Sequence, residues 1–590
     1  MDAVIVNAIF SVLLCFGAFS LFRFSILPRS LTHRATRALE RHQYDRALAL
    51  YRRLGAAVER RSKGKLRQTT QFVSYQGQGL AFQALNEYSD AIRCFEKARE
   101  RLAEESVEMP RSVHAQVDCW LTVAYFALGQ HGEGEQALRR LNALCDQLDE
   151  HDVGPTMELL REGAGLASMT NLLPLAADLL NLVLRKLRNA HESHSALIAS
   201  TEIRLAEVYM VNGDYPMSVE IIERTLDEGQ LDDDQAVNAR ASLGNALIVL
   251  GEIRRSIECL REVCDSRRET NGDHSVAITE SSLGVYLRVY GDYAQSERIG
   301  ASAQRRLSRL SPEDSFLVRT GYVQWIPSLM HRGDYAEADS LLQKLESVPE
   351  SVATHQGNLL ASTFLWRGIY YLRLFRPSLA VMHSREALEV AGQNYGSPQH
   401  QQTCDYRIIL ASALIANDSM REAEEQVRFV EENYASRSFV GPLSLGDFLL
   451  VKCELAIAMG DFETARQHAR AGLDQLVDRL LPRSVLLAEL KTLKARALVG
   501  LTRYDDAQAL LAEASRIRRQ SQPEDHPAFA RLYEASSKVF RATGDDARCE
   551  DFHRKANAIR DQWEQFHTER KKLGEDDRVW EQNPYSVTTS

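Results

Sequence analysis

Over most of its length the chain places apolar residues three and four positions apart, with polar residues between them. That spacing gives an α-helix one apolar face. Leu205, Ala206 and Tyr209 mark such a face ahead of a short polar turn, as do Leu243, Gly244 and Leu247. Ala91, Phe95 and Ala98, or Ala507, Leu511 and Ala514, mark one after a turn. No segment shows the strict alternation of a strand. The turn itself recurs, as GDYPMS at Gly213, GDYAQS at Gly291, GDYAEA at Gly333 and GDFETA at Gly460. Looser copies stand at His42, Asn86, Asn171, Gly251, Asn417, Thr502 and Gly544. The third turn position falls at 44, 88, about 131, 173, 215, 253, 293, 335, 375, 420, 462, 504 and 546, an interval of mostly 42 residues.

This pattern predicts about 13 helical hairpins. The turn glycine can close the first helix of each, because glycine alone takes the left-handed cap cheaply. Pro174, Pro216 and Pro377 fall in the first turn of the second helix, where a missing N–H costs nothing. Pro327 lies inside a first helix and predicts a kink there. One hairpin cannot bury both of its faces, so the hairpins must stack. The expected fold is all-α, a helical-hairpin solenoid.

A small residue, an aromatic and a glycine at the turn, then small and large residues alternating along the second helix, resemble the tetratricopeptide repeat. The resemblance covers roughly residues 30–560. The 42-residue period is similar to that of kinesin-light-chain-like repeats, most fully in GDHSVAITESSLGVYLRVYGDYAQSE from Gly272. That subtype usually carries an asparagine ahead of the Leu-Ala pair of the first helix, where this chain has Arg204, Ser242 and Ser282. The resemblance implies a right-handed superhelix whose first helices line a concave face that binds extended or helical peptides. On that face it places Arg204, Glu207, Asn238, Asn245, Ser281, Arg288, Gln324, Arg367 and Tyr370.

The N-terminus departs from this pattern. Val4 to Phe22 is 19 residues without a charge, about 28 Å as a helix, close to the thickness of a bilayer core. Arg23 to Arg67 then carries 13 Lys or Arg against three acids. Positive flanks stay on the cytoplasmic side, so the expectation is a single transmembrane helix with its N-terminus outside and the repeat body cytoplasmic. A cleaved signal peptide ending at Ala18-Phe19-Ser20 is the alternative; against it, the first residues hold Asp2 and no Lys or Arg. The basic stretch 23–67 also suits anionic lipid headgroups. The expected organisation is an anchor over 1–28, a basic membrane-proximal first repeat over 29–70, a solenoid over 71–568, and a disordered polar tail over 569–590.

Charge and chemistry narrow the function. A net charge of −10 argues against nucleic acid as a partner of the whole chain. Nine cysteines, odd in number and without a CxxC pair, suggest neither a disulfide framework nor a zinc site, and fit a reducing compartment. There is no phosphate loop of the GxxxxGK type. QGQGLA from Gln76 lies within a predicted helix, HESH from His191 reads as a solvated loop, and His400 with Cys404 lacks a third ligand. No cofactor and no catalysis are expected. The expected function is a membrane-tethered scaffold that binds protein segments in its groove. The alternatives are a ligand-responsive regulatory arm and an exported solenoid.

Overall fold

A computed structural model describes residues 26–572, apart from 41–42, 62–64, 104–108, 171, 192, 270–272, 311–314, 348–356, 396–400 and 438. The predicted anchor over 4–22 lies outside the described residues, as does the tail beyond 572. The last described helix, Asp546–Lys572, runs past the predicted end of the solenoid at 568. Among the described residues no helix is long and apolar enough to cross a membrane.

All regular structure in the described residues is helical, with twenty-six α-helices and no strand. They pair into hairpins whose second helices start at 44, 88, 131, 173, 215, 253, 293, 335, 377, 420, 462, 504 and 546. The turn motif predicts this register everywhere except at 375. There Phe375 itself takes the left-handed conformation (φ 59°), and the helix opens at Pro377. The Gly-Asp pair explains why the motif is so regular. Gly213 (φ 90°) ends the helix Ser195–Asn212 in the left-handed cap, with its N–H on Met210 O and that of Asp214 on Tyr209 O. The Asp214 carboxylate then accepts from the N–H of Met217 and so caps the next helix. Asp334, Asp461 and Asp545 repeat that cap with the amides of Glu337, Thr464 and Arg548. Two adjacent residues thus end one helix and begin the next.

Within a hairpin, small residues set the distance between the helices. Ser256 donates to the carbonyl of Gly244 at 2.6 Å, and Ser296 to that of Gly284 at 2.7 Å. The helix Phe316–His331 passes through Pro327 uninterrupted.

The chain divides into two compact units, Met1–Ala239 and Arg240–Ser590. In the first, successive hairpins pack through Phe95, Trp120, Leu121, Leu141 and Met157, all almost wholly buried, with the rings of Phe95 and Trp120 stacked at 5.5 Å. Buried acids join neighbouring hairpins there. Asp118 faces Arg140 at 3.0 Å and Arg99 at 4.0 Å, and Glu202 pairs with Arg224 at 3.1 Å and with Arg188. In the second unit Glu280 repeats the arrangement with Arg268 at 2.7 Å and Arg306 at 3.4 Å.

The second unit also returns on itself. The Leu481 N–H donates to Tyr290 O (2.8 Å), the Arg483 Nε to Gly291 O (2.9 Å) and the Val485 N–H to the Tyr293 hydroxyl (2.7 Å). Further along, the His526 ring meets Met330 O at 2.9 Å, and Trp563 packs edge-on against Tyr335 at 4.8 Å. Each contact spans about 190 to 230 residues, so the hairpin turns of the early repeats meet the connections of repeats four to five periods later. The expected groove is therefore partly closed along this edge.

Candidate partner-binding groove

The nine residues expected on the concave face fall into three groups. Two lie in the interior. Arg367, only 3% exposed, is held by Glu346 at 2.7 and 2.8 Å and by Asp339. Burial opposes its charge, but those two carboxylates hold the guanidinium well above its ordinary pKa. Tyr370, also 3% exposed, packs at 5.8 Å from Tyr335 and beneath the Arg367 guanidinium. Both are corrected from ligand contacts to core residues. Their helix, Gly357–Arg373, turns this side toward the neighbouring second helix, and a resemblance in register alone does not reveal that.

A second group makes contacts between hairpins. Arg204 lies 3.6 Å from Glu162 and donates to Arg161 O, and Asn245 accepts from the Tyr286 hydroxyl at 2.9 Å. Glu207 is half-buried and Asn238 exposed, both in the first unit. The last group borders cavities, with Ser281 itself buried. Ser281 and Gln324 line a small cleft beside Gly284 and Trp325, and Arg288 borders a larger cavity.

A larger cavity, about 640 Å³, lies elsewhere in the second unit. Its wall is built by one short stretch from each of four consecutive first helices, Gln401–Ala416, Pro442–Ala458, Val485–Gly500 and Ala528–Ala542. Ser412, Glu454, Arg496 and Lys538 form one row across these helices, each 42 residues after the last. Ile415, Ile457 and Val499 form a second row at the same interval, and Ala416, Ala458 and Gly500 a third. Phe375, Met420 and Phe462, from the hairpin turns, close the other side. Gly500 is required here, because a Cβ at that position would fall 2.2 Å from the Phe462 ring.

The charges along this wall are unevenly matched. Glu454 accepts from Ser412 and from Arg531, both at 2.9 Å, and Glu534 accepts from Arg560 at 2.6 Å. The Arg560 guanidinium lies 4.4 Å over the Phe375 ring. Arg496 and Lys538 have no ion-pair partner among the described residues. Asp418, which also lines the cavity, has no ion-pair partner among the described residues either, so the surface joins an apolar strip to a modest excess of positive charge. Sequence reasoning missed this row, although the 42-residue translation that generates it is written in the chain.

Deeper in the second unit lie further charged groups. Burial pushes the Asp405 carboxyl up to about 7, with Asp447 adding to the effect. Burial also raises Glu489, but Arg518, Arg373 and Arg531 together draw it below its ordinary value. Every described cysteine is a free thiol, and burial pushes Cys119 and Cys453 up to about 12, which makes them poor nucleophiles. Among the described residues no cluster of three or more His, Cys, Asp or Glu is placed to hold a metal ion.

Residues 447–471, the helix pair around the Gly460 turn, match the tetratricopeptide repeat model. No protein of curated function matches the sequence. Among solved structures, the chain is similar to the APC/C hetero-tetramer Cut9-Hcn1 (12% identity, 92% of this chain and 95% of that one, TM-score 0.43). It is also similar to the apo form of RapI (11% identity, 69% and 98%, TM-score 0.38). A third likeness is to BtubC from P. vanneervenii (16% identity, 40% and 89%, TM-score 0.32). The family match places a tetratricopeptide repeat at residues 447–471, within the array of helical hairpins described above. The kinesin-light-chain-like subtype does not follow from these matches.

Proposed function

We propose that the chain is a protein–protein interaction scaffold, and that its second unit holds an extended segment of a partner in the groove bounded by Ile415, Ile457 and Val499. The observation that carries this reading is the pair of unmatched cations, Arg496 and Lys538, in line with Ser412 and Glu454 and beside a continuous apolar strip. An extended chain presents side chains at a regular step to such a ladder, so an acidic segment with interspersed apolar residues is the complementary ligand. The uncharged run 4–22 would anchor the scaffold as an uncleaved helix, N-terminus outside, with 23–67 against anionic headgroups. Tethering would raise the local concentration of a membrane-bound partner without new contacts.

The test is selection from a random peptide library by the full chain, with enrichment compared for the Arg496→Glu/Lys538→Glu double variant. Acidic–apolar peptides should be enriched by the wild type and lost, or replaced by basic ones, with the variant. An unchanged selection would refute the groove assignment.

A further inference from the structure

A second cavity of about 420 Å³ lies in the same unit, where the turn of the hairpin Asp273–Tyr290 and Tyr293–Leu310 meets the connection after the helix Tyr504–Arg519. None of its lining residues is shared with the groove described above. Four arginines and a single acid, Glu297, line it. Three of the arginines are matched. Arg332 pairs with Glu297 at 2.8 Å and Asp334 at 3.0 Å, Arg483 with Asp292 at 3.0 Å, and Arg519 with Glu524 at 3.2 Å.

Arg288 is different. It has no ion-pair partner among the described residues, and its buried Nε has no hydrogen-bond partner. Burial lowers its pKa and the Arg373 charge lowers it further, while Asp447 attracts it without forming an ion pair. Two other buried groups at the cavity are orphaned in the same way, the Ser521 hydroxyl and the Nε2 of His331. His331 stacks on Tyr293 at 3.9 Å, and burial together with the charge of Arg288 lowers its pKa to about 3, so the ring is neutral. A guanidinium, a hydroxyl and an imidazole that can donate a proton therefore converge on one cavity, whose single lining carboxylate, Glu297, is already taken by Arg332. A buried cation left in this state is costly to the fold unless something compensates it.

We propose that this cavity binds a small molecule bearing a phosphate or carboxylate group, with the oxyanion seated on the Arg288 guanidinium. The volume is within the range of small-molecule sites. The planar guanidinium offers the paired donors that both oxyanions accept, and Ser521 supplies a neutral donor of the kind such sites use for orientation. Because the cavity walls come from chain segments about 190 residues apart, the ligand would also bridge the edge along which the unit closes. The site does not depend on the peptide groove.

The experiment is titration of the full chain with pyrophosphate and with malonate at fixed ionic strength, read by calorimetry and by melting temperature, with potassium chloride as the control. At least one anion should bind saturably and raise the melting temperature with concentration, and the anion that does so identifies the group recognised. Arg288→Gln should weaken that binding at least about tenfold. It removes an unmatched charge and should leave the fold intact. If it does not, Arg288→Lys keeps the charge and loses the paired donors, and should still bind several-fold more weakly. The Arg496→Glu/Lys538→Glu variant should bind the anion as the wild type does, so that failure of the groove and failure of this site are separable. If neither anion shows saturable binding, or if the Arg288 variants bind as well as the wild type, the proposal is overturned.

Discussion

Four turns hold an ordinary side chain in the left-handed conformation that glycine occupies elsewhere: Asn86 (φ 61°), Phe375 (φ 59°), Asp418 (φ 58°) and Thr502 (φ 59°). Asn and Asp tolerate it because their short side chains can bond locally. Phe375 is compensated by its contact with Arg560. Thr502 has no such compensation, being exposed and β-branched. Relief of the left-handed strain is worth about 1–2 kcal/mol, and the extra unfolded-state freedom of glycine takes back about 0.5–1. Thr502→Gly should therefore stabilise the fold by about 0.5–1 kcal/mol in urea melts. Gly291→Val is the opposite case. Its φ is 98° and a Cβ would meet Ser484 at 3.1–3.3 Å, so the same assay should show a loss of stability.

Elements are joined by buried charges as much as by apolar faces. Arg367 links the helix Gly357–Arg373 to Asp339 and Glu346 of the helix Tyr335–Glu346, and Asp339 also meets Arg570 of the last helix at 2.7 Å. Arg367→Met would leave Glu346 buried without its partner, and should cost about 3–5 kcal/mol of stability by thermal or denaturant unfolding. A loss below about 1 kcal/mol would show that the network is ornamental.

This residue also marks the limit of what the sequence displays. Hairpin boundaries are legible because Gly-Asp acts within three or four residues, so its effect is local. Which side of a first helix meets its neighbour is set by packing, and Arg367 reads equally well as a groove cation or a buried clamp. Buried acids such as Asp118, Glu202 and Glu280 are hidden for the same reason, since a charged residue near an apolar face looks solvated until its two arginines are placed. The groove row at Ser412, Glu454, Arg496 and Lys538 was within reach, because it follows from translating one position by the repeat. Tyr370 stands one period before Ser412, in the same register, yet it is buried against Tyr335. Tyr335 in turn lies beneath Trp563, from a part of the chain far away in sequence.

The contact belongs to the return of the second unit on itself. A linear array distributes stability between nearest neighbours, so a local change should be felt only one or two repeats away. Here Trp563 packs against Tyr335, Arg570 reaches Asp339 and the carbonyl of Ala336, and Glu564 faces Arg376. The last helix is thus coupled to repeats that precede it by about 190 to 230 residues. Trp563→Ala removes the largest of these contacts, and large aromatic deletions in cores cost about 3–5 kcal/mol. Part of that loss should appear at the far side of the contact. In hydrogen exchange, amides of the helix Tyr335–Glu346 should open at least about tenfold faster in the variant, along with those of the helix Asp546–Lys572 itself. The helix Ile253–Glu269 makes none of these last-helix contacts and should exchange as before. If acceleration is confined to residues near Trp563, the unit behaves as an open array and the closed edge contributes nothing to its stability. If it spreads to Tyr335 and stops there, the edge is a cooperative seam, and a ligand bound at the Arg288 cavity on that seam would slow exchange on both of its sides.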